Sequence, residues 1–469
     1  MRYFLFLFFT LLFLNNCDDR GYGTQDIQNV SAIGSSSGID ILSTIPKNKL
    51  PQKAYIKVEF SSTLDSKSIS IKNITLTQNS TNKKVDIELN TQDNFLYIQL
   101  KDSLKDLEIY TLKISNIKNI FGNTQTNQYK KEFQCNKNFW TNVNAGYTHS
   151  IARSIENDIY IWGFDSLHGE TLNPIPMPLS KSDEYISFDA GKGSSAFIVY
   201  DNSLIVLGNN EPQKNKENNF IQVSVGYSHS VVIKNDGTLW SWGKNNHGQL
   251  GNFGIFDQKE LTQEYTDSSQ WKMVSAGKEY TIALKNDNTM WGWGNNEFGQ
   301  IGYKEEKESR KPVQEDTHAN DWKTISAGAN HSVAIKQDGT LWSWGNNNSG
   351  ELGDGTNISS VTPTQEFSKD TNWIAVSAGY NHTIALKNDG TIWSWGNNFY
   401  GELGLGNHNN TNIPTQIGDD TLWKTISSGK EFTLATKLDG TMWAWGYNAY
   451  KQLGLGEDAQ DTNVPTEVK

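Results

Sequence analysis

Four of the eight histidines in this 469-residue chain, His149, His229, His331 and His382, recur at one position of an internal repeat. A ring of imidazoles could hold a metal ion or pass protons near neutral pH. The other three units place Ser194, Tyr280 and Phe432 there, and these side chains do not share imidazole chemistry. The position therefore reads as a packed, hydrogen-bonded turn residue. No His-x-x-x-His pair, phosphate-cradling loop or paired-cysteine ligand set accompanies it. No catalytic, metal or cofactor site is expected, and the chain reads as a non-enzyme.

A second repeated position points to recognition. The residue after the first glycine of each unit is Tyr147, Lys192, Tyr227, Lys278, Ala329, Tyr380 or Lys430. These should sit in turns on one face, arranged around a common axis. Tyrosine combines a large apolar ring with a polar tip, which suits protein surfaces that bind. Tyr147, Lys192, Tyr227, Lys278, Tyr380 and Lys430 are the candidate partner-contacting residues. The loops expected on the opposite face carry His247, Phe298, Tyr400 and Tyr450.

The elements that must position these side chains are seven repeats over residues 137–469. Units start at Trp140, Tyr185, Phe220, Trp271, Trp322, Trp373 and Trp423, with a glycine six residues on and another seventeen beyond that. All sixteen tryptophans lie between Trp140 and Trp445 and occupy repeat positions. Each unit reads as a four-stranded antiparallel sheet. Asp338-Gly339 and its equivalents form the tight turn between the second and third strands, with Asn157, Asn202 and Asn288 where glycine is missing. Seven such sheets close into a β-propeller. Unit two lacks the tryptophan pair and is short after Gly208, so it should lack the glycine-rich loop and the outer strand, as a drifted structural blade or as a specialised notch. The terminal segment Val464–Val468 is expected to pair beside the Trp140 strand and close the ring.

These motifs resemble the regulator of chromosome condensation repeat family. They read Ser326-Ala327-Gly328-x-x-His331-Ser332, then Asp338-Gly339-Thr340-Leu341-Trp342-Ser343-Trp344-Gly345, then Gly350-x-Leu352-Gly353. The resemblance implies a seven-bladed propeller. It also implies binding through aromatic residues on one face, as in secreted bacterial members. The family's founding role, nucleotide exchange on a nuclear GTPase, does not carry over to a secreted chain.

Residues 45–136 read as a β-sandwich of short alternating strands, among them Tyr55–Phe60, Ile69–Ile71, Val85–Leu89 and Leu96–Leu100. With Val58-Glu59-Phe60-Ser61, Tyr110–Ile114 and Phe121-Gly122-Asn123, this segment resembles the bacterial Ig-like domain of surface proteins, which implies a spacer. The fold class is thus all-β: an Ig-like sandwich followed by a propeller. Upstream, an apolar run from Tyr3 to Leu14 is too short to span a bilayer and suits a secretory signal. The segment 1–16 resembles a lipoprotein signal peptide, which implies lipidation of Cys17, although Asn16 departs from the small residue usual before the cysteine. Cys135 would then be a lone thiol. Residues 17–44 are a polar tether.

The formal charge of −11, without a basic patch, argues against nucleic-acid binding. The sequence therefore predicts an envelope protein anchored to a membrane through an N-terminal lipid. Its propeller should bind an envelope or extracellular protein, with glycan or cell-wall binding as the alternative.

Overall fold

The computed structural model describes residues 41–469 apart from 46–48, 52–54, 61–62, 93, 102–108, 123, 125–127, 137–139, 156, 165–171, 181–184 and 209–218. The signal segment and Cys17 lie outside the described residues, as does the tether up to residue 40. The side chain of Cys135 is likewise not described.

The N-terminal unit packs two sheets face to face. One runs Ile41–Ile45, Tyr55–Phe60, Phe95–Leu100, Ile87–Gln92; the other runs Lys49–Pro51, Tyr129–Asn136, Ile109–Ile114, Ile74–Gln78, Lys83–Lys84. Alternation puts Ile56, Val58, Phe60, Leu96 and Ile98 of one sheet against Ile74, Leu76, Tyr110, Leu112 and Ile114 of the other. The first strand begins at Ile41, inside the segment assigned to the tether. Ile69–Ile71 is not a strand, contrary to expectation. The Asp65 carboxylate accepts from the Lys67 amide at 3.1 Å and starts a 3₁₀ turn over Ser66–Ser68. Asn73 and Ile74 then donate back to the Ser70 carbonyl, so the segment forms a turn and the strand starts only at Ile74.

Residues 140–469 form seven antiparallel sheets, each a contiguous meander with its first strand innermost. Six have four strands. The second has three, Tyr185–Ala190, Ser194–Val199 and Leu204–Gly208, among the described residues. The tight turns adopt the left-handed backbone that their Gly or Asn implies. For example, φ is 82° at Gly339, 65° at Asn157 and 66° at Asn288. Each innermost strand also carries a β-bulge one residue in, as between Trp322 and Thr324.

The two tryptophans of each pair do different things. The second is fully buried, and in several blades its indole N–H reaches the preceding blade. Trp293, Trp344 and Trp395 donate to the carbonyls of Gln249, Gln300 and Glu351, each at 2.9 Å. The first stays partly exposed and carries a lysine over its ring, as Lys387 does at 3.8 Å from the Trp393 centroid and 4.6 Å from that of Trp373.

The ring closes differently from expectation. Thr462–Val468 pairs with Met442–Gly446 as the outer strand of the last blade, not beside the Trp140 strand. Every blade is built from one contiguous segment, so among the described residues no strand is left over to exchange across the seam. Side chains and backbone close it instead. Trp140 N donates to Gly440 O at 2.9 Å, Trp162 Nε1 to Gln452 O at 2.8 Å, and Val468 shares a core with Trp140 and Phe432.

Candidate partner-binding face

The first glycine of each unit is required by space, not by backbone conformation. A Cβ on Gly328 would stand 2.5 Å from the Gly379 carbonyl of the next blade and 2.6 Å from Cε1 of His331. The innermost strands can therefore approach the axis closely, and the turn that follows projects its side chain over the axial opening.

Two residues before that glycine, a polar side chain links blade to blade. The side chains of Asn144, Asp189, Ser224, Ser275, Ser326, Ser377 and Ser427 accept from the backbone N–H of Ala190, Val225, Ala276, Ala327, Ala378, Ser428 and Ala145 at 2.7–3.1 Å. The set runs through all seven blades and returns to its start. Asp189 is the one charged member. Burial pushes its carboxyl up, against hydrogen bonds from Val225, Ala190, Asn144 and Ser224.

The repeated histidines are buried linkers too. Nε2 of His149, His229, His331 and His382 lies 2.8–3.2 Å from the hydroxyls of Ser195, Thr281, Thr383 and Thr433 in the following blade. They open the second strand of their blades and are not turn residues. Burial lowers His229, His331 and His382 to about 3. Among the described residues, no group of three or more His, Cys, Asp or Glu is placed to hold a metal ion.

At the axial mouth the candidate residues meet one another. Tyr147 stands edge-on to Tyr227 with centroids 5.4 Å apart, and edge-on to Tyr380 at 6.1 Å. Lys192 Nζ sits 4.1 Å from the Tyr227 centroid and donates to its hydroxyl at 2.5 Å. Lys430 Nζ lies 4.8 Å from the Tyr147 ring, and Lys278 Nζ lies 5.8 Å from Tyr380. Desolvation would lower the Lys430 ammonium, but Glu431, 3.3 Å away, and the Tyr147 phenol outweigh it and hold it above the usual lysine value. Burial raises the Tyr147 phenol, with Lys430 opposing. The six residues, with Ala329, line a shallow pocket of about 100 Å3.

The loops carrying His247, Phe298, Tyr400 and Tyr450 lie on this same face, which corrects the expectation of an opposite one. In an antiparallel meander the first and third connections share an end, because the chain reverses at each strand. Accordingly the residue after the third strand donates to the first turn: Lys244 N to Ser228 O at 2.9 Å, Tyr447 N to Glu431 O at 2.8 Å. Outside the mouth, blades six, seven and one present a chain of rings. Phe399–Tyr400, Tyr400–Tyr447, Tyr447–Tyr450 and Tyr450–Phe164 have centroids 4.9, 4.5, 6.0 and 6.0 Å apart. Near blades three and four the rim is charged, with His247 3.7 Å from both Glu279 and Glu308.

The sequence reading missed three groups. The first is the Asn/Asp/Ser ring. The second is Glu264, Glu315 and Glu366, buried carboxylates that bond the indole N–H of Trp271, Trp322 and Trp373 at 3.2–3.3 Å. Their signal was present as a recurrent Gln-Glu seven residues before each tryptophan. The third is Glu351 and Glu402, which occupy the place of Gln249, Gln300 and Gln452. Burial pushes both up to about 7.

A closed ring of β-blades with packed histidines defines a β-propeller, and RCC1-like propellers are generally protein-interaction modules. The chain belongs to the RCC1-like domain family: residues 209–469 match it, and residues 36–139 match the bacterial Ig-like domain. It is 28% identical over 306 residues to the ultraviolet-B receptor UVR8 of Arabidopsis thaliana, covering 59% of this chain and 69% of that one. It is 28% identical over 282 residues to the human E3 ubiquitin-protein ligase HERC2, covering 59% of this chain and only 5% of the ligase. Among solved structures, human WBSCR16 superposes with a TM-score of 0.57 at 19% identity, over 66% of this chain and 89% of that one. Yeast RCC1 (Prp20), solved with Kap60, gives 0.51 at 19% identity over 70% and 75%. These likenesses show the fold.

Proposed function

We propose that this is an envelope protein anchored by lipid at Cys17. Its Ig-like domain is a spacer, and its propeller captures another protein through the tyrosine–lysine face. The carrying observation is the convergence of Tyr147, Tyr227 and Tyr380 at one mouth, beside a wider arc of aromatic rings on the same face. Interface cores are enriched in such rings, and they serve as anchors when a partner excludes water around them. RCC1-like propellers are in general binding modules. One yeast neighbour, Prp20, is solved bound to Kap60 and, in a second structure, described with its binding properties to Gsp1p and histones. The apolar run before Cys17 supports the anchor.

The test is to crosslink cells expressing the tagged chain and compare wild type with the Tyr147→Ala, Tyr227→Ala, Tyr380→Ala triple variant. An envelope protein recovered with wild type and lost from the variant is the expected result. Equal recovery removes the mouth from the interface. Metabolic labelling with a fatty acid, abolished by Cys17→Ser, is expected for the anchor; label that persists rejects it. The alternative, glycan binding, draws on the arc from Phe399, which is 70% exposed, to Tyr450. A glycan array on the purified chain tests it.

A further inference from the structure

Three ammonium groups converge on the mouth, in a chain whose formal charge is −11. Among the described residues, the only ion pair made by Lys192, Lys278 and Lys430 is that of Lys430 with Glu431. Lys192 and Lys278 rest on tyrosine rings instead. A ring face holds a cation in place without cancelling its charge. The phenols of Tyr147, Tyr227 and Tyr380 add donors at the same spot. The pocket between them is small and open, with a floor of backbone glycines. It is a place where positive charge and hydrogen-bond donors are concentrated and only partly answered.

We propose that the axial mouth takes an acidic loop of a partner protein and seats one of its carboxylates among Lys192, Lys278 and Lys430. The inference rests on the protein-binding reading of this face and adds the charge of what it binds. The surrounding face decides between a protein and a free ion. The aromatic arc of Phe164, Tyr400, Tyr447 and Tyr450 offers apolar area that an inorganic anion would leave unused, whereas a protein carrying an acidic tip would cover it. Complementary charge would speed and orient docking more than it would add affinity, so the contact should weaken with salt.

The experiment is calorimetric titration of the purified full chain with capped hexaglutamate, hexalysine and hexaserine peptides. Hexaglutamate is expected to bind, more weakly at high salt, and the other two are not. The Lys192→Gln, Lys278→Gln, Lys430→Gln triple variant, with its melting temperature unchanged, should lose about tenfold or more in affinity. The corresponding Lys→Glu triple variant should lose hexaglutamate and gain hexalysine. Absence of hexaglutamate binding, or equal binding to the Lys→Gln variant, overturns the proposal. Inorganic phosphate binding at the mouth as tightly as the peptide overturns the assignment to a protein loop. So does a neutral oligosaccharide whose binding is lost with the tyrosines. In the cell crosslinking assay, a partner lost with the tyrosine variant but retained by the Lys→Gln variant rejects the acidic loop and leaves protein binding standing. A partner retained by both variants rejects the protein-binding reading of the mouth as well.

Discussion

Nε2 of His331 lies 3.0 Å from Oγ1 of Thr383, a residue 52 positions later and one blade away. Burial depresses His331, His229 and His382 to about 3, whereas an unfolded histidine titrates near 6.5. Between those values the unfolded chain binds protons that the folded chain refuses. Their contribution to stability is therefore full above about pH 6.5 and is lost as pH falls towards 3. Urea unfolding at a series of pH values should show stability dropping on acidification. His331→Phe, which copies the natural Phe432 of blade seven, should make that slope shallower and cost about 1 kcal/mol at neutral pH through the lost hydrogen bond. An unaltered slope would contradict the buried neutral imidazole.

Glu351 and Glu402 titrate in the opposite sense. Their folded values near 7 lie above the ordinary 4.5, so the folded chain binds the extra protons. Stability is fully present below about pH 4.5 and is lost as pH rises through 7. Gln300 shows that an amide fits the site: it accepts from Phe298 N at 3.0 Å and donates to Asn295 at 3.2 Å. In blade five the matching Asn346 has its carbonyl oxygen buried without a partner. Glu351→Gln with Glu402→Gln should stabilise the chain at pH 8 by roughly 1–3 kcal/mol and have little effect at pH 4. Calorimetric melting at the two pH values checks this, and a variant less stable at pH 8 would refute it.

Gly328→Ala should destabilise by about 2–3 kcal/mol, because its Cβ meets the Gly379 carbonyl and the His331 ring together. Gly418 is the control. Its φ is 60° and nothing lies within 4 Å of an added Cβ, so alanine there should cost only about 1 kcal/mol, from the backbone. Chemical denaturation of the two variants side by side separates crowding from strain.

Glu315 accepts from Thr317 N at 2.6 Å, Ala319 N at 2.9 Å and Trp322 Nε1 at 3.3 Å while fully buried. Glu315→Ala leaves Thr317 N and Trp322 Nε1 without this acceptor and Ala319 N with only the Thr317 hydroxyl at 3.4 Å, and should cost about 3 kcal/mol. Glu315→Gln keeps one acceptor oxygen and should cost less. Equal melting temperatures for the two variants would count against the carboxylate as the joint between blades four and five.

What was legible in the sequence was local or periodic. The tryptophans, the glycines and the turn at Asp338-Gly339 follow from spacing and from the φ that a tight hairpin demands. The parity of the connections also follows from an antiparallel meander, yet reading loops one by one placed His247 and Tyr400 on the wrong side. The terminal strand was misplaced because a repeat pattern fits a ring closed by strand exchange as well as one closed blade by blade. That Tyr147 touches both Tyr227 and Tyr380 depends on the radius of the ring, which no single repeat encodes. Asn144 and Asp189 hid the interblade ring because they break the run of serines at that position, although all of them offer an acceptor oxygen.

The unbroken blades carry one more consequence. Ala145 N meets Ser427 Oγ at the seam as Ala378 N meets Ser326 Oγ mid-chain, at 2.9 and 3.0 Å. In this bond the seam matches the other six junctions; it lacks a peptide link, and the histidine linkers and the Glu264, Glu315 and Glu366 joints are added at others of the seven. Joining the two ends of the propeller and cutting between any other pair of blades should regenerate the same circle, as should inserting or excising a whole blade in a circle of altered circumference. The architecture is indifferent to where the gene starts reading it, which opens it to growth by unequal crossing-over.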